Sequence, residues 1–187
     1  MGMVATTPSW HTPASVRLLP DDGNRYECVA GELLVTPAPR PNHQGVLAQL
    51  FRALLAVDRV PGLQMWWSPA DLELRDDVLV QPDLFVYRTA HGGPARDWRE
   101  IRSLELAVEV LSPATARFDR VVKRRLFQEL GVPEYWIVDT DARVIERWRP
   151  ADERPEICAA SLEWRPSGAD APIVVDLLAL FTAALGG

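Results

Sequence analysis

An α/β or α+β domain built around a mixed central β-sheet flanked by helices is predicted by three features of this sequence. Short alternating segments are grouped in clusters, and two segments repeat apolar residues at helical spacing. One run, Leu104 to Leu111, is apolar enough to be a central strand buried on both faces. Strands, a helix, a strand cluster, a long central strand, a helix and further strands, in that order, pack as a mixed sheet covered by helices. With 187 residues, 48% of them hydrophobic, the chain can fill one core and is short for two. The expected organisation is a flexible N-terminal arm over residues 1–14 and a single domain over residues 15–187.

The arm carries small residues and two prolines without periodicity. Residues 25–29 and 32–36 flank Ala30-Gly31 and read as an N-terminal β-hairpin. Pro37, Pro39 and Pro41 enforce an extended connection. Val46, Leu47, Leu50, Phe51, Leu54 and Leu55 then repeat at helical spacing, with Asn42 placed to cap the first turn. Residues 63–67, 71–75, 78–80 and 83–87 read as strands in hairpin succession, broken by Ser68-Pro69 and Asp76-Asp77. Residues 91–99 form a polar loop before the central strand. Ser112-Pro113 ends that strand, residues 116–130 form a second helix, and Gly131 is placed to close it. Residues 135–139 and 143–149 are strands around Thr140-Asp141. The tail alternates proline-containing loops with the apolar run 173–175 and ends in a helix from about Asp176.

Composition narrows the function. A net charge of −6 and a pI near 5.1 exclude a broad cationic surface, so any nucleic-acid contact is local. Cys28 and Cys158 have neither CxxC spacing nor a disulfide pattern, which fits a reducing cytoplasm. No run approaches the roughly eighteen apolar residues of a membrane span, and no basic start leads into an apolar stretch. A soluble, cytoplasmic protein without membrane partners is expected.

Lys123 is the single lysine, against nineteen arginines. It supplies the compact, titratable ammonium suited to polarising a reacting oxygen. It follows Glu109 by fourteen residues and Asp83 by forty. Glu109 lies in the apolar central run, where an unpaired carboxylate is costly. Two carboxylates on neighbouring strands would hold a hard cation such as Mg²⁺; the alternative is a buried glutamate paired with an arginine. On the second helix Phe118, Val122, Leu126, Phe127 and Leu130 mark the inward half, and Asp119 and Lys123 fall within it. Lys123 then either forms a local ion pair with Asp119 or reaches Glu109 and Asp83 at the sheet edge. Two carboxylates and one ammonium suit metal-assisted phosphodiester hydrolysis.

Tyr26-Glu27 with Gly31-Glu32, His43 opening a helix, Gln81-Pro82-Asp83, the run Val108 to Pro113, Asp119 with Lys123, and the run Gly131 to Asp139 keep one order and spacing. Together they resemble the Uma family of restriction endonucleases, a branch of the PD-(D/E)XK nuclease superfamily, over about residues 20–150. The resemblance implies a restriction-endonuclease-like fold, with Asp83 and Glu109 as metal ligands, the Val110 carbonyl as a third, and Lys123 as the catalytic lysine. The superfamily's simplest pattern has its lysine two residues after the glutamate, where this chain has Leu111; in the Uma family that lysine sits on the following helix. Phe127 stands where family members often carry tyrosine. Glu27 and His43 match family positions near the site, and His43 is equally read as a first-turn structural histidine.

The leading reading is therefore an endonuclease dependent on Mg²⁺, with Mn²⁺ as a substitute, acting on DNA in preference to RNA and as a homodimer with one site per strand. Arg120 and Arg124, on the outward side of the second helix, are candidate phosphate contacts, the alternative being a solvated face. A competing reading is a non-catalytic nucleic-acid-binding or assembly module, since seven tryptophans offer partner surfaces. A serine or cysteine hydrolase is disfavoured by the absence of a GxSxG elbow or a suitable Cys/His arrangement.

Overall fold

The computed structural model describes residues 10–90 and 93–186. The N-terminal hairpin is β1 (Arg25–Val29) against β2 (Glu32–Thr36). Val29 pairs with Glu32, which leaves a two-residue loop. Ala30 and Gly31 both take positive φ, 49° and 85°, the geometry that matches the strand twist in such loops. The expected arm lies partly outside the described residues. Its last part docks: α1 (Pro13–Val16) is closed by a reciprocal Thr12–Ser15 capping box, and the His11 N–H donates to the Gly31 carbonyl.

The following strands depart from a simple hairpin succession. β3 (Leu63–Trp67) pairs with β6 (Leu84–Arg88), while β4 (Leu72–Arg75) and β5 (Val78–Val80) form a hairpin that leaves to join β1. Burial accompanies this placement: Val78 and Val80 pack on one face into the cluster of Phe85 and Tyr135, while Leu79 packs on the other with Val16 and Cys28, and β1 and β4 pair the two edges of β5. The result is a four-stranded sheet ordered β2-β1-β5-β4, and Asp83 is the joint where the chain re-enters the main sheet.

The main sheet runs β10-β9-β8-β7-β6-β3. Its centre is β7 (Leu106–Val110), antiparallel to β6 and parallel to β8 (Glu134–Asp139). β9 (Val144–Trp148) and β10 (Glu156–Cys158) follow antiparallel. All five residues of β7 are buried, and alternation divides them. Leu106, Val108 and Val110 face a core with α2 (Pro41–Ala53) and α5 (Leu177–Leu185), whereas Ala107 faces Phe85, Leu126, Phe127 and Tyr135. Glu109 shares the second face.

Helix α2 begins two residues earlier than an Asn42 cap implies. Arg40 is its N-cap and Pro41 its first residue, so Asn42 lies inside the first turn and does not cap it. Proline is favoured there because its missing N–H has no helical partner to lose. The second helix is also modified: α3 (Ala116–Phe118) and α4 (Arg124–Glu129) are joined by a π turn, Asp119–Lys123. Gly131, at φ 67°, ends it as expected, with the Gly131 and Val132 N–H groups donating to the Gln128 and Phe127 carbonyls. Gly131→Ala meets no steric obstacle, so the backbone conformation alone should cost about 1 kcal/mol, read as a lower thermal midpoint.

In the tail, β11 (Ser161–Trp164) pairs with β12 (Ile173–Asp176), and the Asp176 side chain caps α5 by accepting from the Ala179 N–H at 2.9 Å. Trp164 meets Trp136 of β8 edge to face, joining the tail to the main core. Among the described residues no helix is long and apolar enough to cross a membrane.

Candidate active site

The antiparallel pairing of Leu84 with Val108 carries one step further to set Asp83 opposite Glu109, on one face at the ends of two adjacent strands. The return of the α3–π–α4 helix over that face brings Lys123 in. Its Nζ lies 2.7 Å from Glu109 Oε1, 2.8 Å from Glu27 Oε1 and 3.8 Å from Asp119 Oδ1. Both sequence readings of Lys123 thus meet in one cluster, but the hydrogen bond goes to the sheet glutamate rather than to Asp119.

Asp83 is held on both oxygens. Oδ1 accepts from the Arg25 guanidinium at 2.8 Å, and Oδ2 lies 2.9 Å from His43 Nε2 while accepting the Val110 N–H at 2.8 Å. His43 is therefore a site residue, placed by the first turn of α2. Glu27, in the middle of β1, ties the hairpin sheet to the link before Asp83 and to the helix: its Oε1 accepts the Gln81 N–H at 2.7 Å and meets Lys123. Gln81 and Pro82 lead directly to Asp83, so Glu27 sets both the strand entry and the lysine. Glu27, Asp83, Glu109, Asp119 and Lys123 are each at most 3% exposed. They line the floor of a cleft of about 460 Å³, walled by Thr36 to Arg40 on one side and by Ser112 to Ala116 with Asp139 to Asp141 on the other.

Four buried carboxyl groups face two permanent cations here, and the shortage of positive charge falls unevenly. Burial drives the Asp83 carboxyl up, but the His43 hydrogen bond and charge, the Arg25 guanidinium and the Val110 N–H outweigh it and hold it down at about 2. Burial pushes Glu109 well above the usual carboxylate range; Lys123 opposes this, and the charges of Asp83, Asp119 and Glu27 add to it. Asp119 rises to about 6, again through burial first. Burial alone would lower Lys123, yet Glu109, Glu27 and Asp119 raise it, so the ammonium stays charged.

A family model described as Uma2, putative restriction endonuclease, matches residues 13–178. The chain belongs to the Uma2 family. Its description gives nuclease as the functional class. Among solved structures, the Uma2 chain is similar to one described as a putative nuclease belonging to DUF820 from Anabaena variabilis, at 21% identity and a TM-score of 0.70, covering 94% of this chain and 99% of that one. At that identity the likeness establishes the fold, which is restriction-endonuclease-like. No curated protein matches.

In this Uma2 chain two features of the site carry no sequence signal. The Arg124 N–H donates to the Asp119 carbonyl, five residues back, and the same carbonyl accepts the Tyr135 hydroxyl at 3.1 Å. A π turn of this kind often marks a functional site; here it keeps Asp119 and Lys123 together on the buried face. Phe127, in the position where tyrosine is frequent, packs its ring tilted against Tyr135, centroids 4.8 Å apart, and offers no hydroxyl. The second feature without a sequence signal is Arg25, which reaches Asp83. Of the expected phosphate contacts, Arg120 lies at the cleft rim bound to Asp139 at 2.7 Å and Glu146 at 2.6 Å. Arg124 lies over the Trp148 ring and donates to Gln128.

Proposed function

We propose that this protein is a metal-dependent endonuclease that hydrolyses phosphodiester bonds of DNA, with Asp83 and Glu109 holding Mg²⁺ or Mn²⁺ and Lys123 as its catalytic lysine. The observation that carries the reading is the juxtaposition of Asp83 and Glu109 on adjacent strand ends with the Lys123 ammonium 2.7 Å from Glu109, at the floor of an open cleft. Among the described residues no cage of three or more His, Cys, Asp or Glu side chains is arranged for a metal. The donor set fits Mg²⁺ nonetheless, because this ion keeps several waters and takes one or two carboxylates, with the Val110 carbonyl as a third oxygen donor. The fit is supported by the excess of buried acid and by Asp119 Oδ1, a buried oxygen without a hydrogen-bond partner.

A divalent cation, when bound, supplies Lewis acidity at the scissile phosphate. The chain's own groups do the rest. Lys123 keeps its proton and is placed to orient the attacking water or to donate to the phosphorane as negative charge develops. Glu27 holds the ammonium together with Glu109, and His43 holds the Asp83 carboxylate in place. Duplex DNA calls for one such site per strand, so a twofold dimer belongs to the reading.

The test is nicking of supercoiled plasmid by the purified protein. Cleavage is expected with Mg²⁺ or Mn²⁺, none with EDTA, and none in Glu109→Ala; cleavage that persists under EDTA or in this variant rejects the reading. A non-catalytic module has one observation in its favour, the engagement of both Asp83 oxygens by protein groups. It requires salt-dependent DNA binding that survives Glu109→Ala in a protein that never cuts.

A further inference from the structure

Arg25 opens β1 and sends its guanidinium across the cleft to Asp83. One terminal nitrogen, Nη1, does all its hydrogen bonding there, at 2.8 Å from Asp83 Oδ1 and 3.3 Å from Ser68 Oγ. Nε is buried and has no hydrogen-bond partner among the described residues. An arginine–carboxylate pair at full strength is forked, with two parallel N–H···O bonds. This one is single-pronged because Asp83 Oδ2 already serves His43 and the Val110 N–H. Oδ1 is thus the oxygen whose protein partner can leave without stripping a backbone N–H of its acceptor.

A cation on Asp83 Oδ1 and the Arg25 guanidinium compete for one atom and repel each other at that distance. Arg25 has somewhere to go. Its side chain is 18% exposed and lines the cleft, as does Arg40 on the proline-rich wall. A planar guanidinium with unused N–H donors, facing a cleft entered by a polyanion, matches the fork geometry of a phosphate.

The geometry points to Arg25 as an exchangeable phosphate clamp. It neutralises Asp83 while no cation is bound, then yields Oδ1 to the cation and takes a backbone phosphate oxygen of the nucleic acid. This inference rests on the metal-dependent reading of the site and adds its substrate contact. It also makes cation and nucleic acid mutually reinforcing ligands, since each stabilises the displaced arginine, and the coupling is reciprocal.

The experiment compares the full chain with Arg25→Gln, which is polar but neutral and stops two bonds short of the terminal guanidinium nitrogens. Mn²⁺ is titrated calorimetrically without nucleic acid, and a fluorescein-labelled DNA duplex is bound in the presence of Ca²⁺. Arg25→Gln is expected to bind Mn²⁺ about tenfold tighter and the duplex about tenfold weaker, the size of one charged hydrogen bond lost or relieved. If the natural chain binds Mn²⁺ and Arg25→Gln binds it equally or less well, the clamp is overturned while the metal site stands. If neither binds Mn²⁺, the metal-dependent reading falls and takes the clamp with it. Should Arg25→Gln not fold, a Mn²⁺-soaked crystal of the natural chain decides. Separation of Arg25 from Asp83 Oδ1 supports the exchange, and an intact 2.8 Å contact beside a bound ion refutes it.

Discussion

Replacing Lys123 with methionine is expected to abolish cleavage and to destabilise the fold, with a stability loss that grows as pH rises. Methionine fills the space of the lysine stem without its charge, leaving Glu27 and Glu109 buried with no cation between them. Breaking a buried pair in this way costs on the order of 3–5 kcal/mol, because the remaining charges stay desolvated. Glu109 is already raised by burial against the pull of Lys123, so removing that pull raises it further. A carboxyl whose folded pKa lies above its unfolded value binds more protons when folded, which favours the fold at low pH and is lost as pH rises through the folded value. The deficit relative to the natural chain is therefore smallest near the ordinary glutamate value of 4.5 and largest above the raised one. Urea melts at about pH 5 and about pH 8 measure it. A deficit independent of pH would mean that Lys123 does not neutralise Glu109 in solution. For cleavage, loss of a donor aimed at developing charge lowers the rate by roughly 10² to 10³ at least.

Much of this site was legible because its residue types are out of place in their patterns. Glu109 interrupts an otherwise apolar strand, and Lys123 sits on the apolar half of a helix; both anomalies are local and readable from periodicity. Asp83 was read as the second carboxylate, at the start of a strand neighbouring that of Glu109, and the order and spacing of the remaining motifs then supplied Glu27 and His43 through resemblance. Arg25 had no such signature. Its significance is a contact across 58 residues, and a strand's first arginine looks like any other surface cation. The π turn was illegible for a related reason: Asp119 and Lys123 keep to one helix face whether the turn is α or π, so the pattern is the same in both. Arg120 and Arg124, expected on the solvated side, are half-buried instead, because Asp139, Glu146 and Trp148 come from other strands to meet them, contacts that helical periodicity alone does not encode; the exposed face is Val121, Arg125 and Glu129.

The fold followed a similar division. The hairpin, the central strand and the three long helices were set by alternation, helical spacing and turn residues. The two sheets were not, because β4 and β5 read as one more hairpin and only pairing shows that they join β1. β10 and β11 escaped notice because they are three and four residues long, with Glu156, Ile157, Ser161 and Glu163 exposed. Segments that short carry too few alternations to separate from loop.

Asp83→Asn tests the other half of the site, and its expected result differs in kind from that of Lys123→Met. The carboxamide keeps the size and one acceptor oxygen, but the charge that meets Arg25 and His43 disappears. On the proposed metal-dependent reading a hard cation would lose one of its two carboxylates, so Mn²⁺ binding and cleavage should both fall by about 10²-fold or more. Stability responds at the opposite end of the pH scale. Asp83 is held at about 2 in the fold against an ordinary value of 3.8. A carboxyl depressed by folding contributes stability that is complete above its unfolded value and is lost as pH falls through its folded value. The natural chain should therefore exceed Asp83→Asn in stability at neutral pH and lose that advantage between about pH 4 and pH 2. The substitution also removes one of the charges that raise Glu109, so the Glu109 carboxyl should move down toward its ordinary range. Carbonyl-carbon NMR titration of Glu109 in both proteins reads this directly. A Glu109 titration unchanged by Asp83→Asn would show that the two carboxylates do not sense each other, and a pair that does not share its field would not share an ion.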